Sequence, residues 1–281
     1  MFYYSEQLLD SLLLSDIEYG DLTTRLLAIG NQQGVMTFCR KAAGRVSGLT
    51  LSEKLLNRLS LTVVCHVSDG MDVEQGTILL TVYGQAAQLH QGWKVVQNIL
   101  EWSCGVANYM ARMVAIAKQI NPQIRIACTR KSIPGTKTLS IAAISHGEGI
   151  LHRSGTAESV LLFANHRRFW SDPNDWLGMI KQLRCNAPEK KIIVEADNMN
   201  EALQALVAQP DILQLDKFNP KQVRIVMFEA KVIAPHCVIS IAGGVNLNNI
   251  ADFAQSGVPL IITSAPYYAA PDDIKVVLEP I

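Results

Sequence analysis

The sequence predicts an α/β protein: a parallel sheet, open or closed into a barrel, preceded by a smaller β-rich region. Three observations predict it. The second half alternates short, continuous apolar runs with amphipathic helical patterns, the cadence of βα units. The stretch 67–84 instead alternates apolar and polar residues between Gly70, Gly76 and Gly84, the habit of short strands and tight turns. The 281 residues are 49% hydrophobic and 18% charged, which suits one large barrel or two domains and is too apolar for disorder.

Along the chain, Leu8, Leu9, Leu12 and Leu13 fall at helical spacing and predict a short amphipathic helix rather than a secretion signal, since no basic segment precedes them. A second helix is expected over 47–60. From Leu89 to Ile120 apolar residues recur every three or four positions, giving one long helix or two with a break near Ser103–Gly105. Candidate strands follow at 124–129, 159–163, 191–195, 212–216, 237–241 and 259–263, each apolar throughout, as parallel strands covered on both faces should be. Helices are expected at 198–208 and 219–232, the latter opening on Asn219-Pro220, a cap and a first-turn proline. Six strands are fewer than the eight of a complete barrel.

Composition narrows the function. Lys+Arg and Asp+Glu are 25 each, so no basic excess exists for nucleic acid. No run approaches the 18 or so uncharged apolar residues of a membrane span, so no membrane partner is expected. The six cysteines are scattered without a CxxC pair and read as reduced, mostly buried thiols of a cytoplasmic protein, with no zinc spacing. Trp93, Trp102, Trp170 and Trp176 read as core or interface anchors.

Polar residues collect where the strands end. After the first come Thr129, Arg130 and Lys131, then Lys137; after the second, Asn165 and His166. The third ends in Glu195, the fourth in Asp216-Lys217, the fifth in Gly243-Gly244 before a helix start at Asn246, and the sixth in Thr263-Ser264. Ligands of parallel α/β folds bind at the carboxyl ends of the strands. Two carboxylates among Arg130, Lys131, Lys137 and Arg153, beside a glycine pair offering backbone N–H groups to a phosphate, suit a phosphorylated sugar. The cations would hold phosphate or pyrophosphate, and the acids ribose hydroxyls or Mg2+. Read singly, His152 and His166 are structural histidines, and each acid could be no more than a helix cap or an ion-pair partner.

The run CTRKSIPGTKTLSIAAISHGEGILHRSGTAESVLLFANH (128–166) resembles the quinolinate phosphoribosyltransferase family, also called nicotinate-nucleotide pyrophosphorylases. GDLTT (20–24), CGVAN (104–108), VEADNMNEA (194–202), LQLDKFNP (213–220) and AGGVNLNNI (242–250) extend the resemblance over nearly the whole chain. It is most similar to a branch of pyrophosphorylases associated with molybdenum transport. The resemblance implies an N-terminal α/β sandwich over 1–108, rejoined by a tail at 269–281, and an incomplete α/β barrel of about six strands over 109–268. It implies a cytoplasmic homodimer or higher assembly with the active site at the interface. It also implies Mg2+-dependent transfer of 5-phosphoribose from phosphoribosyl pyrophosphate to the ring nitrogen of an aromatic dicarboxylate. By motif position, Glu195 and Asp216 match the ribose and metal acids, directly or through water, and Lys131 a ligand-binding lysine with a catalytic part. Arg130, His152 and Arg153 match acceptor residues, and Gly243, Gly244 and Ser264 the phosphate loop.

The departures lie on the acceptor side. The family's pocket lysine is replaced by Phe163 and its following acid by Ala164; a Glu-Arg pair becomes Trp93-Lys94; the arginine of PG-x-R becomes Lys137. A lost cation weakens dicarboxylate recognition, and Lys in place of Arg removes a bidentate fork. The expectation is a phosphoribosyltransferase with a different, planar acceptor. The alternatives are a quinolinate enzyme whose cations come from elsewhere, and a non-catalytic protein that binds a phosphometabolite or an oxyanion.

Overall fold

A computed structural model describes residues 2–281. The chain forms two compact units. The first comprises residues 2–111, Ile133–Glu148 and Tyr267–Ile281; the second comprises Arg112–Ser132 and Gly149–Pro266. The strand–helix rhythm does not announce that 133–148 belongs with the N-terminal residues.

In the first unit an antiparallel sheet runs in the order Ile274–Pro280, Gln33–Arg40, Ile78–Gln85, Thr62–Cys65. Gln33–Arg40 buries every second residue, so Met36 and Phe38 face one side and meet Val82 and Leu80 across the register. Period-two alternation of this kind places one face of a sheet on a core. Leu9 and Leu13 of helix Glu6–Ile17, Leu51, Leu55 and Leu56 of helix Leu49–Arg58, and Val96 and Leu100 complete that core. Buried Arg40 fastens the tail through Asp272, at 2.9 Å.

The helix expected over 89–120 is a single one, Ala86–Ile120, with no break at Ser103–Gly105. Gly105 serves packing: a Cβ there would collide with the carbonyl oxygen of Ala270. Trp93-Lys94 lies within this helix. No helix among the described residues is long and apolar enough to cross a membrane.

The second unit is the incomplete α/β barrel. Its seven strands are all parallel, in the order Ile150–Leu151, Arg125–Cys128, Leu260–Thr263, Val238–Ala242, Ile212–Asp216, Ile192–Ala196, Val160–Leu162. Each of the six expected strands is present. The seventh, Ile150–Leu151, is two residues long and too short to carry a period. The two outermost strands, Ile150–Leu151 and Val160–Leu162, are not paired with each other, which leaves a gap in the wall. Asn198 and Asn219 cap helices Met199–Val207 and Pro220–Ile233 by accepting backbone N–H bonds from Glu201 and from Lys221 and Gln222.

Two expectations are corrected. The helix after Gly243-Gly244 begins at Ile250 rather than Asn246 and is six residues long, because the asparagines spend themselves on a turn. Asn246 and Asn249 donate side-chain amides to the Gly244 carbonyl at 3.2 and 3.0 Å. The cysteines are only partly buried: Cys104 and Cys128 are enclosed, Cys65 and Cys185 exposed.

Candidate active site

Strand register brings the two acids together. Glu195 lies beside Gln214, and Asp216 beside Ala242, in adjacent parallel strands. Residues two apart share a face, so Glu195, Gln214 and Asp216 share one with Ser240 and Ala242. On that face Ala127, Ala242 and Ile262 form a small apolar cluster.

Gln214, buried between Leu213 and Leu215 in its strand, donates its amide to Glu195 Oε2 at 2.6 Å and fixes that carboxylate. Burial first, and the Asp216 charge second, push the Glu195 carboxyl up to about 7; the Gln214 bond and the Lys131 charge pull the other way. Two acids that oppose each other's ionisation are a good seat for a cationic partner. The Lys217 ammonium approaches Asp216 at 3.3 Å, and the Lys217 backbone is left-handed at φ 58°. Its N–H donates to the Ala242 carbonyl at 2.8 Å. Strain of this kind persists where surrounding structure holds it.

Gly243 and Gly244 follow, both left-handed at φ 87° and 78°. A Cβ on Gly243 would stand 2.7 Å from Asp216 Oδ1, so only glycine lets the loop pass the acid. The six-residue helix beyond starts too late for its dipole to matter at the glycines; any phosphate seat here is made by loop backbone alone. Ser264 meets Thr129 hydroxyl to hydroxyl at 2.6 Å, and Thr263 donates to the Val245 carbonyl at 2.6 Å. These bonds tie the last strand end to the first and to the glycine loop.

A second cluster lies beside the gap. Arg153 is buried and donates Nη2 to the carbonyls of Thr156 and Ser159, both at 3.1 Å. Its Nε, and His152 Nε2, are enclosed without a hydrogen-bond partner among the described residues. Burial, then the Arg153 charge, press His152 down to about 4, so its ring stays neutral near pH 7. Burial and the neighbouring Arg130 lower Arg153 in the same way, with Glu158 opposing. Arg130, Arg153 and Phe163 line a cavity of about 820 Å³ that also takes in His166 and Trp170. Glu195, Asp216, Gly243 and Gly244 do not line it.

The barrel unit thus gathers Arg130, Lys131, His152, Arg153, Phe163, Glu195, Asp216, Gly243, Gly244 and Ser264. Lys94 and Lys137 belong to the first unit. Lys94 donates to Gln97 Oε1 at 2.7 Å and lies 5.0 Å from the Trp93 ring centre; Lys137 opens helix Lys137–His146 and is exposed. Sequence reasoning missed Gln214, whose signal was a lone amide two residues before Asp216. Trp170, read as a core or interface anchor, is over a third exposed and lines the cavity.

Comparison with known proteins decides the family. The quinolinate phosphoribosyl transferase N-terminal domain matches residues 21–104, and the C-terminal domain of the same family matches residues 106–277. The chain belongs to the quinolinate phosphoribosyltransferase family. Within it, a relative from Escherichia coli O6:H1 that carries the provisional name pyrophosphorylase ModD is 52% identical over 100% of this chain and 99% of its own length. A protein with the same provisional name from Rhodobacter capsulatus is 37% identical over 92% of this chain and 98% of its own. The nicotinate-nucleotide pyrophosphorylase [carboxylating] of Mycobacterium leprae is 26% identical over 90% and 89%. Among solved structures, the nicotinate-nucleotide pyrophosphorylase from Ehrlichia chaffeensis superposes with a TM-score of 0.90 at 22% identity, covering 99% of this chain and all of that one. The chain stands in the ModD branch of this family and in the phosphoribosyltransferase class of enzymes.

Proposed function

We propose that the chain transfers 5-phosphoribose from phosphoribosyl pyrophosphate to the ring nitrogen of a planar aromatic acceptor other than quinolinate. One observation carries the reading. The acids Glu195 and Asp216 stand against the left-handed glycine loop, while the cations Arg130 and Arg153 stand apart on a cavity walled by Phe163. One place suits a charged sugar phosphate, the other a flat anion.

In the step itself the ring nitrogen's lone pair forms a bond to ribose C1. The bond from C1 to the pyrophosphate oxygen breaks, and its electron pair leaves with pyrophosphate. Positive charge develops on the ribose, and the Glu195 and Asp216 carboxylates face that charge. Gln214 keeps Glu195 in one orientation through the 2.6 Å bond. The Gly243–Gly244 backbone receives the 5-phosphate, with Ser264 beside it. Lys131, whose charge already reaches Glu195, balances the pyrophosphate. Arg153 and Arg130 hold the acceptor's anionic group, and neutral His152 lies at its edge.

The acids fit Mg2+. This ion commonly takes one or two carboxylates and completes its shell with water and substrate phosphate oxygens. Glu195 and Asp216 are such a pair, and no cluster of three or more ligating side chains exists among the described residues. When bound, Mg2+ would neutralise the departing pyrophosphate.

Calorimetry with phosphoribosyl pyrophosphate and Mg2+ tests the reading. Binding that is lost in Glu195→Ala supports it; no binding to the natural chain removes it. Assembly as a homodimer or larger, with a partner's cation completing the acceptor site, is part of the proposal, and light scattering on the eluted protein checks it. A cytoplasmic place alongside molybdenum transport rests on the resemblance, and growth of a deletion strain at limiting molybdate is its test.

A further inference from the structure

The cavity is too large for a lone ring with a carboxylate. Cavities of roughly 300–1,000 Å³ accommodate drug-sized molecules, and this one measures about 820 Å³. The donor does not use that space, because none of Glu195, Asp216, Gly243 and Gly244 lines it. Three cations line it: Arg130 and Arg153, from segments after strands Arg125–Cys128 and Ile150–Leu151, and Lys190, which follows helix Trp176–Asn186. Phe163, Trp170, Met179 and Leu183 make an apolar wall beyond them.

That wall is built rather than incidental. Arg167 is buried, stacks on Trp176 at 4.1 Å and pairs with Glu201 at 2.8 Å. It thereby fastens the segment carrying Phe163 and Trp170 to helix Trp176–Asn186, which carries Met179 and Leu183. Phe163 is stacked on His166 at 5.7 Å with 28° between the rings, so it offers a supported flat face. Phe163 and Leu183 remain half-buried and Trp170 exposed, which leaves apolar surface for a ligand to cover.

We infer that the acceptor is a planar aromatic anion extended by a second apolar ring or chain, which lies against Phe163, Trp170, Met179 and Leu183 while Arg130 and Arg153 hold the anionic group. The inference rests on the phosphoribosyl-transfer reading for its reaction, but the cavity's preference is measurable alone. Arg130 and Lys131 are neighbours in sequence, the first on the cavity and the second acting on Glu195, so the anionic end of the acceptor is the end nearer the sugar.

The experiment compares two probes by calorimetry on the full chain, with and without phosphoribosyl pyrophosphate and Mg2+. Pyridine-3-carboxylate is the single ring; isoquinoline-4-carboxylate keeps the same nitrogen–carboxylate relation and adds a fused ring. The bicycle is expected to bind at least about tenfold more tightly, from the extra apolar area covered. Trp170→Ala with Leu183→Gln should shrink that ratio to about threefold or less, leaving the single ring's affinity in place. Equal or tighter binding of the single ring, or binding of neither probe, overturns the inference. If the double variant does not fold, the natural chain's ratio alone decides. Failure of phosphoribosyl pyrophosphate to bind while the bicycle keeps its advantage removes the transfer reading and leaves the cavity's preference standing.

Discussion

At Glu195, Gln214 and Asp216 polar groups meet across neighbouring strands, whereas Arg153 and His152 each keep a buried nitrogen with no partner among the described residues. At the first place the Gln214 amide nitrogen is bonded to Glu195, although the Gln214 Oε1 is likewise enclosed without a partner among the described residues. This place owes its geometry to parallel register, which fixes three side chains on one face, and to a glycine that cannot be replaced without meeting an acid. The second is incomplete without a ligand, and it owes its shape to loops around a gap in the barrel wall. Register tolerates little change; loops tolerate much. The difference teaches why one chemistry can persist in such a fold while its acceptor changes.

Breaking the first place should have the largest effect. Glu195→Gln should lower pyrophosphate release by about 10³-fold, the scale of losing one aligned electrostatic group, while acceptor affinity stays within about threefold. A loss below tenfold would mean that the strand-end acids are not where charge develops. Arg153→Met should weaken the acceptor by about 10²-fold, in line with hydrogen bonds to charged groups, and leave donor binding alone; equal weakening of both would collapse the separation between the two places.

Phe163→Lys sharpens the contrast in the opposite direction. Restoring a cation at this position should raise quinolinate affinity by about two- to fivefold, as one partly exposed charge pair would. Unchanged affinity would show that the aromatic wall does not set acceptor choice. Gly243→Ala adds a Cβ 2.7 Å from Asp216 Oδ1 and a left-handed alanine, so melting should fall by about 3–6 °C and the donor should bind more weakly. An alanine variant with natural melting would show that the loop can move away from the acid.

The smallest effect concerns pH. His152 sits at about 4 in the folded chain against an ordinary 6.5. Between those values the unfolded chain binds more protons, so stability present above 6.5 is lost as pH falls towards 4. His152→Gln should flatten that slope, seen as a smaller change in urea midpoint between pH 7 and pH 4.5. A slope unchanged by the substitution would place the acid sensitivity elsewhere.

The barrel was legible in the sequence because strands covered on both faces are apolar throughout, and each of the six such runs is a strand. Ile150–Leu151 was not, since two residues carry no period. The strand Gln33–Arg40 escaped notice although its alternation is plain once its burial is known; Gly34 and Arg40 disguise its ends. The strand-end acids, cations and glycines could be read because they recur at every strand terminus. Gln214 could not, because its role depends on register with Glu195, a relation between strands that no single segment records. The helix start expected at Asn246 failed for a local reason: three asparagines in the eight residues after Gly244 favour turns over an early helix start. The wall of Phe163, Trp170, Met179 and Leu183 joins a loop to a helix and exists only in three dimensions.

The unpaired strands Ile150–Leu151 and Val160–Leu162 give the barrel an unusual freedom. A closed ring of staves must be refitted all round when one of them changes. A ring with a missing stave can widen or narrow at the opening while the other joints stay tight. Insertions between Arg153 and Ser159, or exchanges along 163–183, are therefore the economical route for redesigning what this enzyme accepts.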